Sequence, residues 1–333
     1  MNERSRIVNI LREKEYFTLV GHILPDGDSI GSLLALGEAL SNLGKQVKIY
    51  LPGIVPRKYM FLRGSEKFLT EGMELSPGTV AIAVDCSDLE RLGPFSETIK
   101  QARCLLNIDH HITNQHYGTE NLIDTKAAAT GEIVFHLLAD LEIPLTDSIA
   151  EALYVAVSTD TGSFKYDNTT PETHRIASDL LEYNVHPGVL SQRIFDERPL
   201  SYYLLLREAL SSLELLCDSR IAVITISKEM LKRSGTTVEE IDGMINYTRD
   251  IEGVELGIMF YVESSEEVKI GFRSKTIDVS ALAQKMNGGG HPRAAGCRVN
   301  APYLAVKEKV IQEAEILLKK PCVRFSEAAW TGS

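Results

Sequence analysis

Residues 16–52 read as strand, helix, strand: an apolar run YFTLVGH (16–22), a helical stretch SIGSLLALGEALSNLG (29–44), and a second apolar run in KQVKIYLP (45–52). A helix between two strands implies a parallel pair, because antiparallel neighbours can be joined by a tight turn. This unit commits the chain to an α/β fold with a parallel sheet. TVAIAVD (79–85) and CLLNID (104–109) are two further short apolar runs, each ending in Asp. Helical patterns then dominate from about 127 to 217, among them GEIVFHLLADLE, IAEALYVAVSTD and ETHRIASDLLEYN.

The chain of 333 residues is long enough for about two domains. HPGVLSQRIFDERPL (186–200) carries two prolines and a charge cluster, and it marks a boundary leading into a long helix over about 199–216. Beyond it, RIAVITIS, VELGIMFYVE and EVKIGFRS read as strands of a smaller α/β domain. The expected division is a first domain over 1–187, a helical linker over 188–216 and a second domain over 217–325.

The N-terminal MNERSRIVNILREKEY has no apolar core of the secretory kind. It reads as an amphipathic helix presenting Ile7, Ile10 and Leu11. No apolar stretch reaches the ~18 residues of a membrane span, so a cytoplasmic location is expected. Cys86, Cys104, Cys217, Cys297 and Cys322 are scattered and form no CxxC pair, which predicts idle thiols. A net charge of −11 disfavours a grip on long nucleic acid, which takes a basic stripe. Any phosphate handled here should be small and held locally.

Sites in open α/β sheets form at the carboxyl ends of the strands. Here those ends deliver His22, Asp26 and Asp28 in VGHILPDGDSIGS (20–32), then Asp85, then Asp109, His110 and His111. A helical run adds Asp160 in STDTGSF. Carboxylates this close repel one another, and unpaired buried charge costs several kcal/mol. The four segments supply almost no Lys or Arg to neutralise them, but a pair of divalent cations would. Oxygen-rich ligands with some imidazole and no thiolate suit Mn²⁺, with Mg²⁺ as the alternative.

HILPDGDSIGS, AVDCSD, IDHH and STDTGSF together resemble the four motifs of the DHH phosphoesterase superfamily, and NGGGHPRAAG (287–296) resembles the signature of its DHHA1 domain. The resemblance runs in family order over nearly the whole chain. It points to the NrnA-like branch of nanoRNases and pAp phosphatases, with cyclic-dinucleotide phosphodiesterases as relatives. It implies that His22, Asp26 and Asp85 hold one Mn²⁺. Asp28, Asp85, His110 and Asp160 would hold the other, with Asp85 bridging. His111 would face substrate as a catalytic residue, and Asp109 would orient a histidine.

In the second domain Gly288, Gly289 and Gly290 allow a close backbone approach to an anion. His291 and Arg273 would add charge there, Arg273 lying on the face of VKIGFRS opposite Val268, Ile270 and Phe272. Asn287 stands where many family members carry a further glycine. Arg91 reads as an exposed arginine at a helix start.

The function implied is hydrolysis of very short oligonucleotides, or dinucleotides such as pApA, to 5′-mononucleotides, with removal of a phosphate from pAp as a further activity. The alternative is cyclic di-AMP hydrolysis to AMP. An inorganic pyrophosphatase shares the first four motifs but not GGGHPRAAG, and a non-catalytic nucleotide sensor would lack one or more of the metal-site residues. The expected partners are the short nucleotide substrate and, at most, a second copy of the chain in a homodimer. No long nucleic acid and no membrane is expected.

Overall fold

The computed structural model describes residues 2–241 and 243–318, without the side chains of Glu239 and His291. The chain divides after Glu197 into two compact units.

The first unit opens with α1 (Glu3–Glu13), which buries Ile7 and Leu11 completely. β1 (Tyr16–Val20), α2 (Gly27–Asn42) and β2 (Gln46–Tyr50) follow as expected. After them come β3 (Val80–Val84), α3 (Ser96–Lys100), β4 (Leu105–Asp109) and β5 (Glu120–Ile123). The five strands form one parallel sheet in the order β2-β1-β3-β4-β5. The chain leaves β1 in one direction and returns past it to β3, so the switch of direction falls between these two strands.

β3 is buried throughout and is divided by its own alternation. Val80, Ile82 and Val84 enter the larger core with α1 and α2, while Ala81 and Ala83 face a smaller core with Leu92, Phe95 and Ile99. α4 (Thr130–Asp140), α5 (Asp147–Asp160) and α6 (Pro171–Leu180) complete the larger core. α2 and α5 cross closely because position 31 is glycine: a Cβ there would lie 2.3 Å from the Ala152 carbonyl oxygen. That approach brings the first turn of α2 towards the last turn of α5. The unit ends in α7 (Pro187–Ser191) and a π-helical turn over Gln192–Asp196.

The second unit begins with α8 (Leu200–Ser211), which is shorter than the helix expected over 199–216. Glu214–Leu216 instead forms β6, the edge of a six-stranded sheet. α8 packs Tyr202, Leu205 and Ala209 against Ile224 and Ile226 of this unit. β7 (Ile221–Ser227), α9 (Lys228–Ser234), α10 (Asn246–Arg249), β8 (Leu256–Ser264) and β9 (Glu267–Ser274) come next. α11 (Ser280–Gln284), β10 (Gly289–His291), β11 (Ala294–Val299) and α12 (Tyr303–Leu317) finish the unit. The sheet order is β10-β11-β9-β8-β7-β6, mixed because only β7 and β8 run parallel.

Among the described residues no helix is long and apolar enough to cross a membrane. Among the described residues Cys86, Cys104 and Cys297 are free thiols. Cys322 lies outside the described residues.

Candidate metal centre

The loops that leave β1, β3 and β4 and the ends of α2, α4 and α5 converge at the carboxyl edge of the first sheet. Asp26 is the N-cap of α2, its Oδ1 accepting from the Ser29 amide at 3.1 Å. That cap also fixes Asp28 in the first helical turn, where it is fully buried. Asp85 follows β3 with φ 57, a left-handed conformation that non-glycine residues seldom adopt outside special sites.

Three groups of ligand atoms form within 4.8 Å: His22, Asp26 and Asp85; Asp28, His110 and Asp160; and Asp85, His110 and His111. His22 Nε2 lies 3.4 Å from Asp85 Oδ2, and His110 Nε2 lies 3.1 Å from Asp160 Oδ2 and 3.8 Å from both Asp28 and Asp85. Asp85 belongs to two of the groups, and His110 also joins two. Every residue singled out for metal binding in the sequence therefore lies in this one place.

Proton placement favours ligation. The His22 Nδ1–H donates to the Ile23 carbonyl at 2.7 Å, which leaves the Nε2 lone pair facing the carboxylates. Burial pushes the His22 pKa down and favours the neutral ring a metal needs. Asp109, wholly buried, has a different task. Its Oδ1 accepts from His111 Nδ1 at 2.6 Å and its Oδ2 from Asn114 Nδ2 at 2.5 Å. Burial alone would raise the Asp109 pKa, but the His111 hydrogen bond and charge outweigh it and hold the carboxyl below its usual range. Asp109 thus holds the His111 ring through its Nδ1.

Several contributors were not visible in the sequence. The N-terminus of α4 meets Asp28 with two amides, Thr130 N–H at 2.6 Å and Gly131 N–H at 2.9 Å, and the Thr130 hydroxyl donates to Asp85 at 2.9 Å. Asn114 ties Asp109 to Asn107, with 2.8 Å to Asn107 Oδ1. The Thr-Gly pair opening the helix after Ala129 was the available signal for the first, and Asn114 offered none beyond nearness to Asp109. Arg91 is not the exposed arginine expected: it is half-buried, with a guanidinium nitrogen 3.0 Å from His22 Nδ1.

The residues fit a cation on their own electrostatics. Burial and then the Asp160 charge push Asp28 up to about 8, and burial followed by the Asp28 charge raises Asp85 well above a normal carboxyl. Burial would lower the His110 pKa, but the hydrogen bond to Asp160 and the Asp28 charge win and lift it to about 10. At these three residues the metal-free folded protein keeps protons that the unfolded chain has released. The contribution of these three to stability is therefore greatest in acid and falls as pH rises from about 4 towards 10, while the lowered pKa values of His22 and Asp109 act in the opposite sense. A cation replaces those protons, so Mn²⁺ should raise the Tm of EDTA-treated protein more at about pH 8.5 than at about pH 5.5. Thermal unfolding at both pH values, with and without the ion, checks this. A stripped protein whose Tm climbs with pH would contradict it.

In the second unit, β9 alternates as expected: Val268, Ile270 and Phe272 enter the core and Arg273 lies on the other face, half-buried. Gly289 and Gly290 open strand β10, with Gly290 paired to Ala295 and His291 to Ala294. Two glycines of the run are demanded by packing. A Cβ at Gly288 would lie 2.2 Å from the Gly296 carbonyl oxygen, and Gly290 has φ 139 with Ala294 O only 2.6 Å from the ideal Cβ. Gly289 meets nothing within 4 Å. Asn287 takes φ 58 and closes α11, with its N–H on the Gln284 carbonyl and the next amide on Ala283. Asparagine tolerates that left-handed conformation, so the missing glycine costs the turn little. The His291 side chain lies outside the described residues.

The DHH family N-terminal domain matches residues 17–157 and the DHHA1 domain matches 218–320. The bifunctional oligoribonuclease and PAP phosphatase NrnA of Thermus thermophilus is 33% identical over 298 residues, covering 88% of each chain. The Bacillus subtilis protein of the same name is 26% identical over 324 residues, 95% of this chain and 99% of its own. An exopolyphosphatase-related protein from Bacteroides fragilis has the same fold, with a TM-score of 0.87 at 24% identity over 96% of this chain and 98% of its own. RecJ from Thermus thermophilus, solved with Mn²⁺, superimposes with a TM-score of 0.54 at 14% identity over 96% of this chain and 55% of its own.

Proposed function

Since the chain belongs to the DHH family and is a metal-dependent phosphoesterase, we propose that it hydrolyses very short oligonucleotides, down to dinucleotides such as pApA, to 5′-mononucleotides, and that it also converts pAp to AMP. The observation that carries this reading is the convergence of three ligand groups around Asp85, in a chain that matches oligoribonucleases over most of its length.

His22, Asp26 and Asp85 would hold one divalent cation, and Asp28, Asp85, His110 and Asp160 the other, with Mn²⁺ preferred to Mg²⁺ for this mixed oxygen and imidazole set. When bound, such a pair neutralises phosphate charge and makes water more acidic. The protein's own groups do the rest. The α4 amides and Thr130 fix the two buried carboxylates. Asp109 and Asn114 hold His111 so that Nε2 can pass a proton to the departing oxygen. Arg273, Gly288, Gly289, Gly290 and His291 would grip the terminal group of the substrate.

A grip on one end favours short chains, and the net charge of −11 offers a long strand no counterion-release gain. Therefore kcat/KM should fall as substrates lengthen from two to beyond about five nucleotides. Arg273→Ala should mainly raise KM, by the equivalent of about 1.5–3 kcal/mol for a lost charged hydrogen bond, and flatten the length preference. The test is purified protein with Mn²⁺ against pAp, pApA, cyclic di-AMP and oligonucleotides of increasing length. Equal rates on dinucleotides and 20-mers, or cyclic di-AMP as the best substrate, would overturn the proposal.

A further inference from the structure

Leu24 occupies a costly backbone conformation for its side chain. Its φ is 55, in the left-handed region that glycine and asparagine enter more cheaply than leucine. Packing gives no compensation, for Leu24 is 86% exposed. It lies between His22 and Pro25, both buried, so the loop is pinned on either side of an outward leucine. A second large aliphatic residue has a matching place. Ile112 is 85% exposed and directly follows His111. The two loops leave β1 and β4, on either side of β3, and both reach Asp85: His22 Nε2 at 3.4 Å and His111 Nδ1 at 3.7 Å.

Strain and exposure together at the edge of a site point to a ligand contact, because neither folding nor solubility favours them. We infer that Leu24 and Ile112 are apolar contacts for the nucleobase of the nucleotide whose phosphate reacts beside Asp85. This rests on the proposed nucleotide substrate. The phosphate is served by the charged groups, and the part of the substrate left to an aliphatic side chain is the flat, weakly polar face of a base. Such a contact touches any base and reads no edge, so it should bind purine and pyrimidine nucleotides alike.

The test uses full-length Leu24→Asn with Mn²⁺, because asparagine suits the left-handed backbone while removing the apolar contact. The substrates are pApA and the same 5′-phosphorylated dinucleotide with abasic sugars. The wild type should prefer pApA, and the variant should raise the KM for pApA by about five- to tenfold, the scale of a lost aliphatic burial. Its KM for the abasic analogue should change less than twofold, so that the preference collapses. Its Tm should stay level or rise, since the strain is relieved. A purely structural role predicts a lower Tm and an unchanged preference. Ile112→Asn should show the same loss of preference. If the wild type cleaves both substrates and Leu24→Asn keeps the full preference, the base contact is wrong and the substrate reading stands. If the wild type cleaves neither, both fall together.

Discussion

Asp85→Ala should lower kcat/KM by at least about 10²–10³-fold, the cost of deleting one preorganised electrostatic group, and should cost more than alanine at Asp26 or Asp160. Asp85 is the carboxylate approached by His22, His110 and His111 together, and its other partner, Thr130, is donated by a separate helix. Alanine removes the oxygen atoms common to two of the three ligand groups. Metal content should drop with activity, since of the three groups only Asp28, His110 and Asp160 keeps all its ligands. Equilibrium metal analysis beside steady-state kinetics checks both. Retention of wild-type metal by Asp85→Ala would break the link between this residue and the centre. Folding is a separate matter: a buried carboxyl with a raised pKa costs the metal-free protein stability at neutral pH, so the variant should fold without metal.

His111→Ala should separate turnover from metal content. The His111 ring is turned by its Nδ1–H bond to Asp109, while His110 points its Nε2 at Asp160. The adjacent histidines thus have different nearest partners. A lost proton donor costs about 10²–10⁴-fold in kcat, and metal stoichiometry should remain near that of the wild type. His110→Ala should instead lose metal. Asn114→Ala should behave as a mild His111 variant, lowering kcat by loosening the Asp109 carboxylate that orients the ring. If manganese leaves His111→Ala as completely as it leaves His110→Ala, the division of roles is wrong.

The gathering of His22, Asp26, Asp28, Asp85, Asp109, His110, His111 and Asp160 was legible because a parallel sheet forces successive strand ends to one edge. The spacing within each motif could then be read directly. What supports those residues was not legible. Thr130 reaches Asp28 and Asp85 from 45 or more positions away in sequence, a relation created only by the packing of α4 on the sheet edge. The left-handed turn at Asp85 has no composition cue, since aspartate is common in ordinary turns as well. Boundaries failed where local and tertiary preferences compete. LELL after α8 is apolar enough to continue a helix, yet Ser212 donates its hydroxyl to Thr225 O and the segment pairs with β7. Glycine is rare in strands, but here the absence of side chains is what lets β10 approach β11.

The most direct test of a metal-dependent nucleotide phosphoesterase is hydrolysis of pApA by EDTA-stripped protein as Mn²⁺ is added back, with bound metal counted at each point. The stripped protein should show no turnover, restoration should give AMP as the product, and activity should saturate as about two ions bind per chain, the stoichiometry of a paired site. Full turnover without metal, or saturation with no Mn²⁺ bound to the wild type, would contradict that expectation.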